Sequence, residues 1–420
     1  MKLIKQIILS LLSLLFFIIF PLTAQAQLTL SGEMRPRAEF RDGFRLLDTP
    51  QNDPAFFVSQ RSRLNLFYEQ DKYTIKVSAQ DVRVWGEVQQ LQDNANVNIH
   101  EAWASLSLTE QVLFKFGRQE LVYDDQRLLG SVNWVQQGRS HDALLFKYEN
   151  TDSGFRFDAG GAYNQEGENV FGTTYSLNNY KFLGYLWANK QFGALNASAI
   201  FLSDGFQVRP NTTNFRYTFG THLQYQKDNI KLTGSTYYQS GDDLNRRNID
   251  AYMIAGNASY QFNALSLTGG YDYLSGGDAN DSNPDQYAFN TLYATNHKFY
   301  GNMDYFLNFP ADTRGGGLQD AYIGATYKWS PKTTSNLTYH YFALAGNIFD
   351  DSSPSDRYLG SELDFSLTYK FVDDVNIKVG YSTLFNSSSL ENLQGRNAEG
   401  NQHWGWLMVH FQPTFFTSNN

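Results

Sequence analysis

From Phe215 to Tyr225 the chain alternates strictly, with Phe215, Tyr217, Phe219, Thr221, Leu223 and Tyr225 on one face and Arg216, Thr218, Gly220, His222 and Gln224 on the other. A period of two is the signature of a strand with one apolar and one polar side. The next segment repeats it, with Ile230, Leu232, Gly234, Thr236 and Tyr238 opposite Lys231, Thr233, Ser235, Tyr237 and Gln239. Only Gln226-Lys227-Asp228-Asn229 lies between, which predicts a tight hairpin.

The arrangement recurs along the chain. Short turns follow aromatic-ended strands at Tyr68, Tyr148, Phe192, Tyr225, Tyr260, Tyr327 and Tyr369, and another falls at Thr109-Glu110-Gln111. Between them lie longer polar segments rich in Gly, Asn and Asp, near 41–55, 85–95, 123–140, 166–176, 206–213, 241–248, 275–316, 345–357 and 388–401. Eight short turns and nine long loops connect eighteen strands. In lipid, strands that are apolar outward and polar inward must close on themselves, because an open edge would leave backbone groups without partners. The predicted fold is therefore all-β, a transmembrane antiparallel β-barrel, with both termini and an aromatic belt on the periplasmic side. A β-sandwich or a soluble repeat protein does not account for the short/long alternation. The segment 275–316 is too long for a mere connection and is expected to fold inward as a constriction.

The first residues add a destination. Lys2 and Lys5 precede an apolar run from Ile7 to Phe20, then Pro21 and Ala24-Gln25-Ala26, the pattern of a secretory signal peptide (1–26) cleaved after Ala26. That run is shorter than the roughly 20 residues of a spanning helix. The rest, 27–420, reads as one barrel domain. With 27 Tyr, 33 Phe, 7 Trp and 33 Gly, the composition suits β-structure with an interface belt. The sequence holds no Cys, which removes disulfides and thiolate metal sites, and no cofactor is expected. A net charge of −9 disfavours nucleic acid as a partner.

Parity assigns the inward face. It holds Glu33, Arg35, Arg37 and Glu39, then Arg61, Arg63 and Asn65, then Lys76, Ser78 and Gln80. Arg83 follows inward if a bulge sits at Gln80–Asp81. Glu101, Arg118, Arg156, Asp158, Arg216, Lys231, Asp272, Glu362, Asp364 and Lys378 complete the set. A Lys or Arg facing lipid at mid-membrane costs about 2–4 kcal/mol, so inward placement is the cheaper assignment. Pairs such as Arg156 with Asp158 can simply brace the wall. Unpaired arginines would form a track for an anionic solute, since guanidinium keeps its charge and binds carboxylates in a bidentate way.

The stretch from Phe114 to Asp142, FKFGRQELVYDDQRLLGSVNWVQQGRSHD, resembles the signature of the alginate-export family of outer-membrane porins. So do the blocks at Phe57–Leu64, Gln80–Gly86, His100–Trp103, Asn296–Asp304 and Leu359–Asp364, which run in order through the chain. The resemblance implies an eighteen-stranded barrel that lets an acidic polysaccharide leave the periplasm through an electropositive constriction gated by loops. It carries Arg61, Arg63, Arg83, Arg118, Arg127 and Arg139 over as solute contacts, with Glu101, Glu362 and Asp364 as acids that position them. Implied partners are outer-membrane lipid, the barrel-assembly machinery, the anionic polysaccharide or another anionic solute, and periplasmic export components. One departure is that Phe415 and Phe416 are followed by Thr-Ser-Asn-Asn, where such barrels usually end on Phe. The competing readings are a general or small-solute uptake porin, and a structural or adhesive barrel with a plugged lumen.

Other chemistry is weakly signalled. Ser140-His141-Asp142 has triad residue types, but neighbours on an extended chain alternate faces, and no G-x-S-x-G occurs, so an enzyme is not expected. His222, His340 and His410 fall on separate strands and read as wall residues. Asp278, Asn280 and Asp281 offer oxygen ligands of the kind calcium takes, without the Gly and later Glu of an EF-hand; solvated loop is the favoured reading.

Overall fold

Each alternating segment of the sequence becomes a strand. In the computed structural model, which describes residues 26–92, 96–175, 179–210, 212–278, 285–350 and 353–418, the first half of the wall consists of β1 (Gln27–Asp42), β2 (Ala55–Gln70), β3 (Tyr73–Val84), β4 (Val97–Ser107), β5 (Val112–Gln119), β6 (His141–Asn150), β7 (Phe155–Tyr163), β8 (Phe182–Phe192) and β9 (Leu195–Arg209). The second half comprises β10 (Thr212–Lys227), β11 (Ile230–Asp242), β12 (Asn248–Phe262), β13 (Leu265–Leu274), β14 (Leu318–Ser330) and β15 (Thr333–Ala343), then β18 (Tyr358–Val372), β19 (Val375–Asn386) and β20 (Gln402–Phe411). β21 (Thr414–Thr417) continues β20 beyond a break at Gln412–Pro413, so the nineteen hydrogen-bonded segments amount to eighteen strands. β16 (Ile348–Asp350) and β17 (Ser353–Ser355) form a separate ribbon within a loop. Residues 1–25 of the expected signal peptide, and Asn280 and Asp281 of the calcium candidate, lie outside the described residues.

Every barrel strand runs antiparallel to its sequence neighbours, and the sheet closes where β20 and β21 return to β1 (Arg37 opposite Met408, Leu30 opposite Phe416). No edge is left among these strands, as lipid requires. Gln27 lies opposite Glu69 and Thr29 opposite Thr417, so both described ends of the chain sit at the short-turn end.

The short turns are 71–72, 108–111, 151–154, 193–194, 228–229, 263–264, 331–332 and 373–374, the eight expected. At the other end the alternation is less strict than the sequence suggests. The loop expected at 206–213 is mostly strand: Phe206 pairs with Asn214, Gln207 with Thr213 and Arg209 with Thr212. A hairpin tip standing beyond the membrane needs no apolar face, so its composition reads as loop. The connection near 241–248 likewise shrinks to 243–247. Loop 387–401 carries α1 (Ser388–Gln394), capped by Ser387, whose side chain accepts the Leu390 N–H, and ended by left-handed Gly395.

Outward residues include exposed Phe192, Phe262, Trp329, Phe371 and Phe411 near the short turns, and Phe56, Tyr217, Tyr252 and Tyr341 towards the loops, the two aromatic girdles of a membrane barrel. Inside, aromatic rings lie flat over cross-strand glycines. A Cβ at Gly270 would stand 2.2 Å from the Tyr322 ring, and one at Gly380 2.3 Å from that of Trp406. A buried apolar cluster joins wall residues to Leu121, Leu128 and Leu129 of loop 120–140 and to Phe289, Tyr300, Met303 and Phe306 of loop 275–317. Two loops therefore fill the lumen: the long one, and one that length alone did not single out.

Candidate functional site: a constriction held between charged walls

The arginines of β1 and β2 face inward because their parity is opposite to Met34, Phe40, Leu64 and Leu66, which are exposed. What they meet is loop 120–140. Arg35 donates to the carbonyls of Asn133 (2.7 Å) and Val135 (2.9 Å) and to the Gln136 side chain (3.1 Å). Arg37 donates to the Trp134 carbonyl at 2.9 Å and lies 4.3 Å over its ring. Arg61, fully buried, binds Glu33 (2.6 Å), the Asn133 side chain (2.8 Å) and the Gln136 carbonyl (3.2 Å). Arg63 holds Gln80 at 2.8 Å, with the Gln137 carbonyl at 3.4 Å. The carbonyls do not neutralise these cations; the carboxylates on this wall are Glu33, which takes Arg61, and Glu39, which takes both Arg37 and Arg41 at 2.8 Å.

The acidic groups of β18 do the converse. Glu362 accepts the Met303 N–H at 2.8 Å and Asp364 the Asn302 N–H at 3.2 Å, so carboxylates hold backbone donors of loop 275–317. Gly301, at φ +79, sits on Glu362 so closely that a Cβ would stand 2.7 Å from the carboxylate.

Between the walls the loops join each other. Gly130 donates to the Tyr293 carbonyl (2.9 Å), Tyr293 to that of Leu128 (2.9 Å) and Thr295 to that of Gln126 (3.0 Å). Trp134 stacks on His297. Arg127 pairs with Asp272 (2.8 Å) and Asp125 (3.0 Å) under the Phe299 ring. Burial opposes its charge, but Asp272, Tyr300 and Asp125 more than offset this and hold the guanidinium well above its ordinary range. Arg139 has no such support: it donates to the Ala294 carbonyl at 2.9 Å, and burial lowers its basicity.

Two cavities flank the constriction. The one towards the loops, about 660 Å³, is lined by Arg139, Arg216, Phe206, Tyr293 and His297 among others. The one towards the short turns, about 770 Å³, takes in Lys147, Arg156, Lys231, Lys298 and Asp125.

Of the residues expected at the site, Arg61, Arg63, Arg127, Arg139, Glu362 and Asp364 gather at the constriction. Glu101 faces inward but binds Lys76 and Trp103. Arg83 and Arg118 do not belong. β2 and β3 pair without interruption, putting Arg83 opposite outward Gln60, and it is exposed beside Asp81 at 2.6 Å. The bulge lies instead on β4, where Glu101 and Ile99 face Ser78 and Ala79. Arg118 shares its outward parity with Phe116 and pairs across strands with Asp142 at 2.8 Å, both exposed. Arg156 binds Asn189, not Asp158, which takes Lys147 and the Tyr123 hydroxyl. Ser140, His141 and Asp142 diverge to His100, Tyr180 and Arg118 and form no triad. Asp278 binds Asn347. Trp134, Tyr293 and His297 went unselected, although Trp134 and His297 lie in the blocks carrying the family resemblance and their aromatic character was available as a signal.

Fold and site together define an outer-membrane β-barrel of the porin type, with an internal constriction built from two loops. The chain belongs to the alginate export family, whose model matches residues 26–402. No curated protein matches it. Among solved structures, it is similar to OpdQ of Pseudomonas aeruginosa, with a TM-score of 0.60 at 13% identity over 93% of this chain and 98% of that one. OccAB4 of Acinetobacter baumannii gives 0.62 at 15% over 94% and 100%, and OccAB1 of the same organism 0.62 at 13% over 93% and 97%.

Proposed function

We propose that this protein is a loop-gated channel for an anionic solute, and that its cargo is an acidic, alginate-like polysaccharide leaving the periplasm. The observation that carries the reading is the excess of positive charge on one side of the constriction: Arg35, Arg37, Arg61 and Arg63 stand against Glu33 and Glu39. A low-dielectric passage lined by one sign of charge concentrates the opposite sign. Membership of the alginate export family supports polysaccharide as the cargo. The alternative, uptake of small solutes, draws support from the cavities, whose volumes of about 770 and 660 Å³ suit a small anion better than a polymer.

Planar-bilayer recording separates these readings. Anion-selective current blocked by polyuronate is expected for the exporter. Weakly selective current that polyuronate leaves untouched favours the small-solute channel, and absence of current sinks both.

A further inference from the structure

The bulge on β4 puts two consecutive side chains on the same side of the wall. His100 is the extra residue between Ile99 and Glu101, and both His100 and Glu101 are turned inward and buried, at 4% and 6% exposure. They meet Glu120, the first residue of loop 120–140. The imidazole and carboxylate ligand atoms of His100, Glu101 and Glu120 all lie within 4.8 Å of one another.

The hydrogen bonds of Ser140, the last residue of that loop, fix the imidazole. Its hydroxyl lies 2.6 Å from the His100 carbonyl and 3.2 Å from His100 Nδ1. The single hydroxyl proton goes to the carbonyl, so Oγ accepts from Nδ1–H. Nε2, the other ring nitrogen, points at Glu120 Oε1 2.8 Å away. A proton or a metal ion held between the two satisfies that approach, and the Glu101 carboxylate supplies a third ligand atom beside them. Two ligands on an ion, each at about 2.0–2.2 Å, stand about 3–3.5 Å apart, a small opening of the 2.8 Å seen here. Lys76 and the Trp103 indole N–H both donate to Glu101, Lys76 to Oε2 and Trp103 to Oε1 at 3.0 Å, holding that carboxylate in place.

We infer that His100, Glu101 and Glu120 form a binding site for a divalent transition-metal ion, with Ser140 as the group that orients the imidazole. One imidazole with two carboxylates suits zinc and its neighbours, whereas calcium takes oxygen ligands alone. The ion ties the entry stem of loop 120–140 to β4, while Ser140 ties the exit stem to the same histidine. This site is independent of the solute, and metal content reads it without any transport assay.

The test is zinc binding to the full-length barrel, purified in detergent, stripped with chelator and titrated with Zn²⁺ at neutral pH by calorimetry and metal analysis. One equivalent is expected to bind, with excess Ca²⁺ failing to displace it. His100→Ala and Glu120→Gln lose that equivalent, and Ser140→Ala weakens it by about tenfold or more, as removing an outer-shell partner does. Folding of each variant is checked by heat-modifiable gel migration; Glu120 stands at the loop stem, so its variant serves if His100→Ala does not fold. Absence of stoichiometric zinc on the wild type, as a bare imidazolium would give, overturns the proposal. Equal zinc retention by folded His100→Ala or Glu120→Gln overturns it as well.

Discussion

Trp134 lies on His297 with ring centroids 4.5 Å apart and planes 14° from parallel, joining the two loops that fill the lumen. Trp404 and Trp406 meet the same Trp134 ring edge-on at 5.8 and 5.0 Å, so the stack is backed by the wall at the barrel's seam. Stacked pairs of this kind contribute about 0.5–1.5 kcal/mol beyond burial. A double-mutant cycle of Trp134→Ala and His297→Ala, followed by urea unfolding, is expected to return a coupling in that range. Additive effects would show that the loops do not lean on each other here.

Arg61 binds a carboxylate and two loop groups while fully buried. Arg61→Ala strands part of the charge of Glu33, whose other partners are His410 at 2.8 Å and distant Arg63, and should cost about 3–5 kcal/mol. Arg61→Lys restores little, because an ammonium cannot reach three acceptors in a plane. Single-channel conductance should rise in both variants as residues 133–136 come loose. Conductance equal to wild type in Arg61→Ala would mean the arginine braces the wall alone.

Glu362 holds the Met303 N–H and nestles under Gly301. Glu362→Gln keeps a carbonyl acceptor and is expected to leave current steady. Glu362→Ala strands a buried N–H at about 1–3 kcal/mol and should produce noisier, larger openings. Current as steady in Glu362→Ala as in wild type would mean that this side chain does not anchor the loop.

The outward pair of Arg118 and Asp142 offers the opposite case. Arg118→Gln should shift stability by less than about 1 kcal/mol, as for other exposed pairs, and leave ion selectivity unchanged. Arg139→Gln, inside the lumen and with no carboxylate partner among the described residues, should lower anion selectivity measured by reversal potential. A selectivity change in Arg118→Gln would contradict its placement on the outer wall.

The period-two pattern carried the strands, their number and the inward parity of Arg61, Glu101, Glu362 and Asp364, because lipid on one face and polar groups on the other leave that pattern in every strand. Arg83 and Arg118 keep strict alternation and face outward; their inward assignment came from an assumed bulge and from the cost of charge in lipid, and it fails for a local reason. Near the loop end the wall leaves the apolar slab, so outward charges paired with Asp81 and Asp142 no longer carry the cost that excludes them deeper down. The loop contacts escaped for another: Arg35 and Arg37 bind backbone carbonyls about a hundred residues away, and any sequence offers carbonyls. Only the side chains that decorate those contacts, such as Trp134 and His297, leave a trace in the residue order.

β1 closes the cylinder against β20 and β21, and the same strand supplies Arg35 and Arg37 to residues 133–135. Sealing the wall and seating the plug are thus entrusted to one strand, and its partners in the two tasks are separated by most of the chain. A change that loosens β1 therefore acts on the seam and on the constriction at once.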